Sequence, residues 1–147
     1  SMSIGSSLLQ DNIKFGTDTD PATSFTTADG SNTDASILTP VMWYIPDNIA
    51  IDSVYSIEGA TTATGDTTRM HLLSYDFTSG STSALTNGTL LAHNDDVTNA
   101  GSEQAYLSTW TIDSSSVASG KVVLAFFRQD SINSDYSVNI TIKYHLT

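Results

Sequence analysis

The sequence has 147 residues and no cysteine, which fits a single domain and rules out a disulfide framework or a thiolate metal site. Sixteen acidic residues against five Lys and Arg give a formal net charge of −11. Such a surface is a poor partner for nucleic acid and for anionic membranes, and it favours solubility; no apolar stretch reaches the roughly 20 residues of a membrane-spanning helix.

Ser and Thr dominate the polar residues, while Lys, Glu and Gln are scarce. That balance disfavours helices and suits pleated, half-buried strands. The start, Ser1-Met2-Ser3-Ile4-Gly5, lacks the basic residues and apolar run of a signal peptide. Ser1 ahead of Met2 reads as a remnant of tag removal, which makes Met2 the expected natural start. Residues 1–33 read as an N-terminal arm or irregular leading segment. Within them Leu8 to Phe15 is a weak strand candidate, and Gly16 to Thr33 is a polar, Asp- and Thr-rich loop or arm. Residues 34–147 read as the folded domain.

In that domain Asp34 to Ile45 predicts a strand bent near Pro40, since proline cannot donate to a ladder. Ile49 to Glu58 predicts a strand with Ile49, Ile51, Tyr55 and Ile57 on one face. Gly59 to Asp66 is a flexible connection, and Thr68 to Phe77 is the next strand. Leu85 to His93 is a weaker candidate. Gln104 to Asp113 predicts a strand with Tyr106, Trp110 and Ile112 on one face. Gly120 to Arg128 does not alternate, so it predicts a central strand covered on both sides, by a loop or by a neighbouring subunit. Ser131 to Asp135 suits a turn. Tyr136 to Tyr144 alternates cleanly, with Val138, Ile140 and Ile142 on its apolar face. Seven to nine strands separated by Gly, Ser, Asn and Asp turns predict an all-β, antiparallel β-sandwich or jelly roll. The expected core is Ile49, Ile51, Ile57, Leu73, Trp110, Val122, Leu124, Phe126, Val138, Ile140 and Ile142.

Candidate chemistry is thin. His71, His93 and His145 show no metal-ligand spacing and read as unrelated surface or half-buried residues. There is no Gly-x-Ser-x-Gly elbow, Glu58 and Glu103 are the only glutamates, and the aspartates lie mostly in turns, where they bond local backbone. No catalytic or cofactor-binding residue emerges, and the chain is not expected to be an enzyme. Asp29-Gly-Ser-Asn-Thr-Asp34 has the oxygen-rich composition of a calcium loop but not the EF-hand order, so it reads as an Asx-type turn and no metal ligand is assigned. His93-Asn-Asp-Asp96 is a weaker candidate of the same kind. Asn87-Gly-Thr89 and Asn139-Ile-Thr141 match the glycosylation pattern, which arises readily by chance here. Trp43, Tyr44, Tyr106 and Trp110 read as core aromatics, with a sugar-stacking platform as the alternative.

The runs Trp43-Tyr-Ile-Pro-Asp47, Ile49-Ala-Ile-Asp-Ser-Val-Tyr-Ser-Ile57 and Arg69-Met-His-Leu-Leu-Ser-Tyr75 resemble small structural proteins of tailed phages, the compact β-sandwich domains of fibres, baseplates and capsid decorations. Gly120 to Phe127 and Tyr136 to Tyr144 look like the last two antiparallel strands of such a domain. The similarity covers roughly Asp34 to Thr147 and lies in style and strand order. It implies a non-enzymatic virion role, assembly in the host cytoplasm, contacts with other virion proteins and self-association, commonly as a homotrimer. A host-surface glycan is a further candidate partner. The resemblance supplies no partner-binding residues. A carbohydrate-binding module and a trimeric jelly-roll recognition head remain the alternatives.

Overall fold

The computed structural model describes residues 2–9, 42–61, 65, 67–76, 80, 86–101, 103–129 and 135–147. Their regular elements are all strands: Met2–Leu9 (β1), Met42–Tyr44 (β2), Ile49–Thr61 (β3), Thr67–Asp76 (β4), Thr86–His93 (β5), Val97–Thr98 (β6), Glu103–Thr109 (β7), Thr111–Ile112 (β8), Ser116–Val117 (β9), Lys121–Gln129 (β10) and Asp135–Leu146 (β11). All pairings are antiparallel. One sheet runs β1-β11-β3-β7, with β9 also on β3. The other runs β2-β10-β4-β5-β8, with β6 also on β4. The two sheets share one core, which makes the domain a β-sandwich. The pairings establish the sandwich and not a jelly-roll strand order. Of the leading segment, Met2–Leu9 pairs with β11 as an edge strand. Residues 10–41 lie outside the described residues, and with them the Asp29–Asp34 loop and the bend at Pro40.

The last two described strands sit centrally, one in each sheet. In β11, Val138, Ile140 and Ile142 point into the core, as their alternation predicts. In β10, Val122 through Phe126 are each no more than 6% exposed. Trp43 stands opposite Val123, and its ring meets Tyr144 of β11 at 5.0 Å. Val123 and Ala125, with Met70 and Leu72 of β4, therefore face the first sheet. Val122, Leu124 and Phe126, with Leu73 and Tyr75, lie on the opposite face and are buried as well. A single chain suffices to bury both faces of β10. The strand thus no longer argues for a neighbouring subunit as its cover.

Two expectations are corrected. Ile57 is 53% exposed rather than in the core. Tyr144 pairs with Ile51 and Lys143 with Ser53, so Asp52 is an extra residue in β3. This bulge reverses the strand's phase: Ile49 and Ile51 point inward before it, and Val54, Ser56, Glu58 and Ala60 after it. Ile57 and the half-buried Tyr55 are thereby turned to the outer face. The second correction concerns Gln104 to Asp113. The chain leaves the first sheet at Trp110 and enters the second as β8, which pairs with β5. Tyr106 and Trp110 share the inner face as expected, with Trp110 in the core and Tyr106 49% exposed, whereas Ile112 is half-buried on the other sheet, so the expected single strand is split between two sheets.

Close packing shows most clearly at Gly88. A Cβ there would sit 2.8 Å from the Tyr75 ring, and that ring meets Phe126 edge-on at 6.4 Å. Phe126→Ala and Ile140→Ala should each lower unfolding free energy by about 2–5 kcal/mol. Gly88→Ala should cost about 1–3 kcal/mol through overpacking against Tyr75. Ile57→Ala should stay within about 0.5 kcal/mol. Urea midpoints of the four variants check this ranking.

Candidate interaction surface

The histidines are not all unrelated, as the sequence suggests. Strands β4 and β5 set His71 directly opposite His93, with the rings stacked at 6.2 Å and 28°. His93 Nδ1 lies 2.7 Å from Asp113 Oδ2. Burial drives the His71 pKa down to about 3, helped by the nearby positive charge of Arg69 and by His93, so His71 is neutral at physiological pH. Asp113 and His93 form an oriented acid–imidazole pair, and among the described residues this is the hydrogen bond the His93 ring makes. His145 pairs separately with Asp52 at 2.9 Å, on the exposed outside of the first sheet.

No group of three or more His, Asp or Glu converges for a metal ion among the described residues. In the segment His93-Asn-Asp-Asp96, Asn94 is buried and serves the fold. Its Oδ1 accepts from the Met70 N–H at 2.7 Å, and its own N–H donates to the Met70 carbonyl at 3.2 Å. The side chain thus stands in for a strand partner where β5 ends. Asp95 and Asp96 point to solvent, and Asp96 approaches Arg69 at 3.8 Å.

The four aromatics do not assemble a platform. Trp110 is core, and its indole N–H donates to Ser56 Oγ at 2.9 Å. Trp43 is half-buried against Tyr144. Tyr44 and Tyr106 are exposed, but on strands of different sheets.

Glu58, noted in the sequence only as one of two glutamates, proves to be buried. The bulge turns it between the sheets at 2% exposure. Its Oε1 accepts from Thr68 Oγ1 at 2.7 Å, while Oε2 has no protein partner. Burial pushes its carboxyl pKa up, against the smaller lowering effect of the Thr68 hydrogen bond.

The surface feature that stands out is the outer face of the first sheet. Ile57 and Leu107 are directly opposite each other on β3 and β7, at 53% and 63% exposure. Tyr55, Gly59, Ala105 and Thr109 surround them, and Ser137, Asn139, Thr141 and Lys143 continue the face on β11. These positions hold no carboxylate in a chain with sixteen. Their single charge is Lys143, whose amine lies 5.8 Å from the centre of the Tyr55 ring. The acidic positions Asp52, Glu103 and Asp135 fall at the two ends of the face. Beside it, β7 bonds to β3 along one side and to no described strand along the other. A carboxylate-free face with two exposed apolar side chains, next to an open strand edge, can bind another protein surface by burial and by backbone pairing.

No protein-family model matches this sequence, and no curated protein matches it.

The raised pKa of Glu58 carries a pH dependence. The unfolded chain ionises near the ordinary value of 4.5, while the folded chain holds its proton to higher pH. Stability from this group is therefore full below that value and is lost as pH rises towards the folded pKa. Glu58→Gln should remove that decline. Denaturation midpoints of wild type and variant, compared at about pH 4 and about pH 8, should diverge, with wild type losing ground at the higher pH.

Proposed function

We propose that this chain is a non-enzymatic structural or adhesion domain of a tailed-phage virion, a fibre or capsid-decoration module that works by docking on protein surfaces. The observation that carries the reading is the outer face of the first sheet: Ile57 and Leu107 exposed together on a carboxylate-free surface beside the open strand β7. Water solvates such a face poorly, and a domain kept for assembly has a use for it. The β-sandwich and the resemblance of Trp43 to Asp47, Ile49 to Ile57 and Arg69 to Tyr75 to small phage structural proteins support the same reading. The virion is then the place of the protein, and other virion proteins and copies of itself are its partners. The resemblance favours a trimer, and a host glycan is a candidate ligand at an exposed tip. The recognition-module alternative draws less support, because Trp43, Tyr44, Tyr106 and Trp110 are dispersed.

Mass spectrometry of phage particles purified from lysates of the source should find peptides of this chain co-sedimenting with capsid and tail proteins. Recovery in the soluble fraction alone would reject the virion reading. Capsid or tail genes flanking the coding sequence would be the matching genomic result.

A further inference from the structure

We propose that β7 pairs with the β7 of a second copy of this chain, antiparallel about a two-fold axis at Tyr106, so that two first sheets become one continuous sheet. This deepens the docking reading above and rests on it, with a two-fold pair in place of the trimer that the resemblance implies.

The first argument is the state of the sheet edges. Natural edges are blunted by short strands, bulges, Pro or Lys, because a row of open backbone groups recruits other strands. Most described edges of this sandwich carry such a device. Strand β1 has a register shift between Ile4 and Ser7, and β5 has two shifts against β4. Strand β2 has three residues, and β6, β8 and β9 have two each. Strand β7 has seven residues, an unbroken register with β3, and neither Pro nor Lys in Glu103-Gln-Ala-Tyr-Leu-Ser-Thr109. Ala105, Tyr106 and Leu107 at its middle are all exposed.

The second argument is charge, which decides for a copy of the same chain. Two chains of −11 each repel, and they repel least where they meet away from carboxylates. The only carboxylate of β7 is Glu103 at its end. An antiparallel register centred on Tyr106 sets Glu103 opposite Thr109 of the partner subunit, not opposite another acid. The same register sets Leu107 opposite Ala105 of the partner subunit, on the outer face. Ile57, Leu107 and Ala105 of the partner subunit then form one apolar row, repeated by symmetry, and Tyr106 meets its own copy at the axis. The strand is thus its own complement across all seven positions, the condition for a closed isologous pair.

The chain has no cysteine, so single-cysteine variants report the register directly. Paired residues at the axis have Cα atoms about 4.5–5.5 Å apart, within disulfide reach. Tyr106→Cys should therefore oxidise to a covalent dimer. Thr109→Cys should not, because its symmetry mate lies about 20 Å away along the strand. Size exclusion with light scattering at micromolar concentration should give twice the monomer mass for wild type. Leu107→Asp should halve that mass while still unfolding in one cooperative transition, at a melting temperature that no longer rises with protein concentration, while Tyr44→Asp, on a strand of the other sheet, should leave the mass intact. A wild-type monomer across a dilution series overturns the pairing. So does a trimer in which Tyr106→Cys fails to cross-link, or equal cross-linking of both cysteine variants. None of these results bears on co-sedimentation with particles, so the virion reading stands or falls separately.

Discussion

The structure depends on β4 and β10 being buried on both faces at once. Water cannot solvate such a pair, so its backbone must be bonded sideways and its side chains must be apolar or internally satisfied. Val122 through Phe126 meet that condition by composition. Of the polar residues of β4, Thr68 meets it by a hydrogen bond, while the Tyr75 hydroxyl is buried without one among the described residues. Thr68 donates to Glu58 across the sandwich, and His71 stays uncharged beside His93. Where β5 stops, the Asn94 side chain takes over the pairing of Met70. Gly88 leaves space for the Tyr75 ring on the face turned away from the first sheet.

One extra residue in β3 then decides what the other sheet shows to solvent. Without the bulge at Asp52, an uninterrupted alternation would carry Ile57 inward with Ile49 and Ile51 and put Glu58 outside. With it, a carboxyl enters the core and an isoleucine leaves it. Both exchanges are unfavourable for a lone domain. They are consistent with a surface shaped by what it contacts. Strand β7 belongs to the same arrangement, since its Leu107 extends the apolar outer face and its Tyr106 lies on the inner side beside Glu58.

Strand identity and most of the core were legible because they are local. The period of two in Tyr136 to Tyr144 and the unbroken apolar run after Gly120 each reflect where a strand sits in its sheet. The misplacement of Ile57 came from reading that period through a bulge whose signal is long-range: it exists only in the register between β3 and β11, some ninety positions apart in the chain. Trp110 was legible as core, but not as the point where the chain changes sheets. The His71–His93 pair was hidden for the same reason as the bulge, because strand register rather than spacing brings the two rings together. Edge status was invisible as well. Nothing in Glu103 to Thr109 distinguishes an outer strand from an inner one until the sheet order is known.

The central position of β10 and β11 has a consequence for synthesis. A ribosome delivers this chain from its amino end, yet the strand that joins β1 to β3 and the strand that joins β2 to β4 are the last of the described strands to emerge. Until they do, the earlier strands have a hairpin-like contact between β4 and β5 and a pairing of β3 with β7, but neither sheet has its middle. Non-local pairing of this kind is slow and late. The nascent domain therefore spends most of its translation as an unclosed set of ribbons, and a ribosome stalled before Lys121 releases a chain with exposed edges and no core to hide them.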